Sequence, residues 1–159
     1  MDRGTLEDAI GLAVEKFRGV QDKAGQPYIL HLLRVMMSVQ SPEAQIVGVL
    51  HDIVEDTDVT LQDLSDLGFS SCVIDAVDCL THPTELSYAD YMVRMRNNPI
   101  ACQCKLADLN DNYRLDRVAY RDGHSDKDAR RVQRYILSYQ FLQDAIDEVT
   151  YRRMMQEVE

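Results

Sequence analysis

The chain has 159 residues, 45% hydrophobic and 28% charged, which suits one globular domain over 1–159 with its core across about 6–146. Its apolar runs are too short for a membrane span, and Met1–Thr5 lacks the apolar centre of a signal peptide, so a cytoplasmic protein with no membrane partner is expected. A net charge of −10 also speaks against nucleic acid as a partner, because phosphate neutralisation by Lys and Arg supplies most of that affinity.

Helical spacing runs through the whole chain. Leu6, Ile10, Ala13, Val14 and Phe17 predict a first helix over about Leu6–Arg18, followed by a polar loop from Gly19 to Gln26. Pro27 opens a second helix that carries His31, Leu33, Met36 and Met37. A third begins with Ser41 as N-cap and Pro42 at its first position, and runs through Ile46, Val49, Leu50 and Ile53 to about Asp56. Thr60–Asp63 caps a short helix ended by Gly68. Further helices are expected from Ser70 or Ser71 to about Leu80 and from Ser87 to Arg96.

Asn98-Pro99 opens the helix that holds Asp108. Beyond a polar loop around Asp122–Ser125, a long last helix is expected from about Asp126 to Ile146 or further. Its stripe of Val132, Tyr135, Ile136, Tyr139 and Leu142 either closes the core or serves a homo-oligomer. No useful stretch alternates with period two, so the fold class is all-α, and no internal repeat appears. Cys72, Cys79, Cys102 and Cys104 form no Cys-x-x-Cys motif, and reduced thiols are expected, buried at Cys102 and Cys104.

Charge is unevenly placed. Between Arg34 and Arg94 there are eleven Asp or Glu and no Lys or Arg, whereas Arg94–Arg134 holds ten basic residues against six acidic ones. Taken singly, most of these charges are solvated helix faces. Together they suit a small phosphorylated ligand held between a metal in the acidic half and cations from the basic half.

The chemistry concentrates at His51-Asp52. An imidazole beside a carboxylate on an apolar helix is costly to bury uncompensated, and a metal ion compensates it. His31 lies twenty residues before, and Asp108 stands in a later helical run. Two nitrogens and two oxygens suit a divalent ion with open positions for water and substrate. Helical spacing puts Glu55 on the face of His51, Asp56 on that of Asp52, and Asn112 on that of Asp108. Metal binding lowers the pKa of bound water from about 15.7 to about 7–9. A nearby carboxylate can then relay its proton. Each residue alone has an ordinary explanation, His31 as a hydrogen-bonded surface histidine and Glu55-Asp56 as a helix end; the ordered set does not. His82, beside Pro83, and His124, in a polar loop, lack such company and are read as structural or solvated.

The order His31, His51-Asp52, Asp108 resembles the HD superfamily of metal-dependent phosphohydrolases. Gly25–His31, Leu50–Thr57 and Lys105–Asn112 resemble the hydrolase domain of RelA/SpoT-type enzymes, closest in form to the stand-alone small alarmone hydrolases. The resemblance covers about Leu6–Leu142, and its specific part is His-Asp-x-x-Glu-Asp-Thr. It implies an HD-type helical bundle, a manganese ion held by His31, His51, Asp52 and Asp108, and hydrolysis of the 3′-pyrophosphate of guanosine tetra- or pentaphosphate to GDP or GTP plus pyrophosphate. Glu55 and Asp56 are then expected to orient or deprotonate the attacking water, and Asn112 to contact the nucleotide. Lys23 matches a basic residue near the phosphates or base, with Lys105 and Arg114 as further electrostatic help. Asp22 stands where many members carry a basic residue, Leu32 where proline is usual, and no synthetase segment is expected to follow. The alternatives are an HD-type hydrolase of another phosphorylated nucleotide or metabolite, and a non-catalytic nucleotide- or metal-sensing module.

Overall fold

A computed structural model describes residues 4–114 and 125–158. Among these residues ten helices follow in order: α1 Leu6–Lys16, α2 Ile29–Met37, α3 Pro42–Leu50, α4 Ile53–Asp56, α5 Leu61–Asp66, α6 Ser71–Leu80, α7 Tyr88–Arg96, α8 Pro99–Asn112, α9 Ser125–Leu142 and α10 Glu148–Val158. The fold is all-α; among the described residues the sole strand-like feature is an isolated bridge between Gln21 and Pro27. No helix among them is long and apolar enough to cross a membrane. The expected loop around Asp122, including His124, lies outside the described residues.

Local signals set most helix starts. Thr5 and Thr60 form capping boxes with Asp8 and Asp63, Ser41 and Ser87 cap through their hydroxyls, and Asn98 accepts from the amides of Ile100 and Ala101. Pro27 does not open α2. It sits in the bridge instead, and Tyr28 donates its amide to Val20 at 2.9 Å before the helix starts at Ile29. The loop between is closed by the Asp22 carboxylate, which accepts from the amides of Ala24 and Gln26, both at 2.9 Å.

α3 is the hub, packing against α1, α2, α6 and α8. Ala44, Val47, Gly48, Val49 and Leu50 are all buried, as befits a helix covered on every side. A Cβ at Gly48 would stand 3.0 Å from Met36 Cα and 3.2 Å from Met36 N, so glycine lets the backbones of α2 and α3 approach.

Two expected helices are divided. The third stops at Leu50, and α4 restarts at Ile53 after Asp52 adopts φ −102°, ψ 3°. The His51 Nδ1–H donates to the Gly48 carbonyl at 2.8 Å, the acceptor that the Asp52 amide would use in a continued helix. A side chain inserted into the ladder is a recognised cause of such a break.

The last helix ends at Leu142. Asp144 takes a left-handed φ of 59°, and the amides of Asp144 and Ala145 donate to the carbonyls of Phe141 and Gln140, a Schellman pattern. Asp147 then accepts from the Thr150 amide at 2.7 Å and starts α10. The expected stripe on α9 is displaced: Ser138, Phe141 and Leu142 are buried, Val132, Tyr135 and Tyr139 are half-buried, and Ile136 is exposed. α10 covers this end of the core, with Tyr151 stacked 4.4 Å from Phe141, so buried side chains continue past Ile146 to Met155.

Candidate functional site

The close α2–α3 contact and the break after α3 bring two histidines together. The His31 and His51 rings lie edge to face at 5.2 Å, and both side chains are 2% exposed. Donor atoms of His31, His51 and Asp52 lie within 4.8 Å of one another and could hold a metal ion. Asp108, one face of α8, adds Oδ1 at 3.2 Å from His31 Nε2 and 3.6 Å from His51 Nε2. Asp52 Oδ2 stands 2.9 Å from His51 Nε2.

Both imidazoles have one nitrogen committed. His51 Nδ1 faces a carbonyl, which only accepts, so it carries a proton. His31 Nδ1 lies 2.6 Å from Asp111 Oδ2, and Arg34 grips that carboxylate through contacts of 2.6 and 3.1 Å. Each neutral ring therefore turns an Nε2 lone pair toward the same point. His51 Nε2 is buried there with no well-oriented hydrogen bond, although Asp52 Oδ2 stands 2.9 Å away. Such a ring nitrogen beside a second ring nitrogen and two carboxylates is the donor set that a divalent cation satisfies.

Without a cation the four groups bias one another's protonation. Burial opposes charge on His51, but Asp52 and Asp108 outweigh it and hold its pKa well above the ordinary value. Burial likewise opposes charge on His31, and its hydrogen bonds to Asp108 and Asp111 leave it raised. Burial pushes the Asp108 carboxyl up, yet the Lys105 ammonium and the two imidazoles hold it well below the carboxylate range. Asp52 is lowered against its burial by His51, aided by the Tyr28 hydroxyl, which donates to Oδ2 at 2.6 Å.

The cluster opens into a cleft of about 790 Å³. Glu55 and Asp56 line it, both solvent-exposed, and Glu55 Oε2 accepts the His82 amide at 3.1 Å. Burial, then the charges of Asp52 and Glu55, raise the Asp56 pKa. Lys23, Lys105 and Asn112 also line the cleft. Lys105 Nζ donates to Asp108 Oδ2 at 2.8 Å, and Asn112 Nδ2 donates to Asp108 Oδ1 at 2.5 Å. Arg114 is exposed just past α8 and is not among the residues lining the cleft.

Sequence reasoning passed over several neighbours. Asp111 and Arg34 were legible only as charges, since nothing local pairs residues 77 apart. His82, read as structural or solvated, lines the cleft and packs 4.6 Å from Tyr91. Tyr88, Arg131 and Arg134 line it too; the cation–aromatic run Arg131–Tyr135 was the available signal. Cys104 is a buried thiol whose pKa burial pushes up to about 12, and Cys102 is only partly buried; both are free.

No family model matches the chain. It is 30% identical over 143 residues to a GTP pyrophosphokinase of Streptomyces coelicolor, covering 82% of this chain and 17% of that protein. Across the GTP pyrophosphokinases it matches, the chain spans only 17% to 19% of their length. A solved structure described as a metazoan ortholog of SpoT that hydrolyses ppGpp shares the fold, with TM-score 0.66 at 20% identity over 96% of this chain and 92% of that one. A guanosine-3′,5′-bis(diphosphate) 3′-pyrophosphohydrolase of Danio rerio is 32% identical over 141 residues, which span 82% of this chain and 77% of that protein. The chain belongs to the HD-type, RelA/SpoT-like hydrolase family.

Proposed function

We propose that this chain is a single-domain, manganese-dependent hydrolase of the 3′-pyrophosphate of guanosine tetra- and pentaphosphate, releasing GDP or GTP and pyrophosphate in the cytoplasm. The observation that carries the reading is the convergence of two imidazole Nε2 atoms with Asp52 and Asp108 at the floor of a cleft edged by Glu55 and Asp56. His31, His51, Asp52 and Asp108 hold the metal in this reading. A divalent cation bound there supplies positive charge and makes water acidic enough to attack at neutral pH.

The chain's own residues do the rest. Asp56, whose raised pKa makes it a better base than a free carboxylate, accepts the proton of the attacking water, and Glu55 orients it. Lys105 spends one of its three N–H donors on Asp108 and offers the others to the phosphate charge that grows in the transition state. Lys23 on the loop and Asn112 at the end of α8 contact the nucleotide, with Arg114 adding positive charge nearby. Asp22 does not supply a cation, but its carboxylate shapes the loop that presents Lys23.

Incubating manganese-loaded protein with guanosine tetraphosphate and resolving products by anion exchange tests the proposal. GDP plus pyrophosphate, lost on chelation, is the expected result. Intact tetraphosphate overturns the substrate assignment, and hydrolysis of a different phosphorylated nucleotide then replaces it.

A further inference from the structure

Beyond the cluster, the cleft wall carries a cation without an ion-pair partner among the described residues. Arg134 and Tyr88 both line the cleft, and the guanidinium stacks over the tyrosine ring, 4.6 Å from its centroid. Arg134 Nε and Tyr88 Oη are both buried, and neither has a hydrogen-bond partner. Buried donors in native structures are almost always satisfied, so a pair of orphans on one wall marks where a partner arrives from outside. The neighbouring cations differ. Lys105 pairs with Asp108 at 2.8 Å and Arg131 with Asp128 at 3.4 Å, whereas among the described residues no carboxylate stands at ion-pair distance from Arg134. In a chain with 27 acidic against 17 basic residues, an arginine in a cleft with no carboxylate partner among the described residues suits an anion.

Contacts order these groups outward from the metal cluster. Lys105 touches Asp108 and lies over the Tyr91 ring at 5.8 Å, Tyr91 packs 5.9 Å from Tyr88, and Arg134 covers Tyr88. Arg134 meets Tyr88, and among the described residues it makes no hydrogen bond or ion pair with the cluster, which suits an anion other than the group cleaved there. A guanidinium resting over an aromatic ring suits paired N–H contacts to phosphate oxygens.

We propose that Arg134, held by Tyr88, is a specificity-determining residue that binds the non-scissile phosphates of a doubly phosphorylated nucleotide. This rests on the hydrolase reading above, in which those phosphates are the 5′-diphosphate of guanosine tetraphosphate.

The test compares two substrates, guanosine tetraphosphate and guanosine 3′-diphosphate, which keeps the scissile bond and lacks the 5′ phosphates. Arg134→Gln raises KM for the tetraphosphate about tenfold or more, the scale of a charge-assisted contact, and leaves kcat/KM for the 3′-diphosphate unchanged. Arg134→Lys, which restores charge without the planar stack, recovers only part of the loss. No change, or equal loss on both substrates, overturns the proposal. Calorimetric titration of GDP and of guanosine into manganese-loaded protein reads the same subsite without turnover. The variant's preference for GDP over guanosine falls about tenfold, and an unchanged preference overturns the subsite. If the wild-type protein leaves guanosine tetraphosphate intact, the hydrolase reading fails, while the GDP titration still decides whether Arg134 binds phosphate.

Discussion

His31 Nδ1 and Asp111 Oδ2 lie 2.6 Å apart across 80 residues of chain, and Arg34 fixes the far side of the same carboxylate. The aspartate keeps the proton on Nδ1, so the Nε2 lone pair faces His51 and Asp108. Carboxylates behind ligating histidines set tautomer and ring orientation in this way. Replacing Asp111 by Asn should therefore weaken manganese binding about 10- to 100-fold while the protein still folds. Calorimetric manganese titration against wild type, with a thermal melt alongside, checks it; equal affinities would rule out a positioning role for Asp111.

The ligand set and the carboxylate pair should separate by phenotype. His51→Ala or Asp52→Ala should abolish both turnover and manganese retention. Glu55→Ala or Asp56→Ala should keep the metal and lower kcat about 100-fold or more, as for loss of a general base. Metal analysis of each purified variant beside its hydrolysis rate distinguishes the two classes. Full turnover by metal-free His51→Ala would end the metal mechanism.

In the proposed site, proton and metal compete for His51. In the metal-free protein its pKa is held well above 6.5, against burial, by Asp52 and Asp108. A raised folded-state value contributes stability that is complete below about pH 6.5 and lost as pH rises through that folded value. Metal requires the neutral ring, so its binding strengthens over the same window. The Tm difference between manganese-loaded and chelator-treated protein should grow as pH rises from about 6 toward 8.5. A difference that stays flat or shrinks contradicts the assignment of His51 as a ligand.

Gly48 couples packing to the site. An added methyl meets the backbone of Met36 at 3.0 and 3.2 Å, so Gly48→Ala must push α2 away from α3. Overpacking of this kind costs about 1–3 kcal/mol, read as a lower urea midpoint at unchanged m-value. Because α2 carries His31, manganese affinity should fall too. Wild-type stability and affinity in this variant would show that the two helices can relax without cost.

Much of the fold was legible because its signals are local. Ser41-Pro42, Thr60–Asp63, Ser87 and Asn98-Pro99 act within one turn, and each starts a helix where expected. The two divided helices were not legible. One break follows from the His51 side chain reaching back to Gly48, the other from Asp144 in a left-handed conformation that glycine more often announces.

For the site, the sequence alone determined the residue types, their order and the all-α frame, because ligand chemistry and helix periodicity are written in short windows. Only the tertiary structure decided which groups meet. It joined Asp111 and Arg34 to His31, turned His51 Nε2 toward Asp108, and laid Arg134 over Tyr88 with no carboxylate at ion-pair distance among the described residues. Those pairings depend on how closely α2, α3, α7, α8 and α9 pack, and that is set by buried side-chain volume summed over the whole core, which no short window contains.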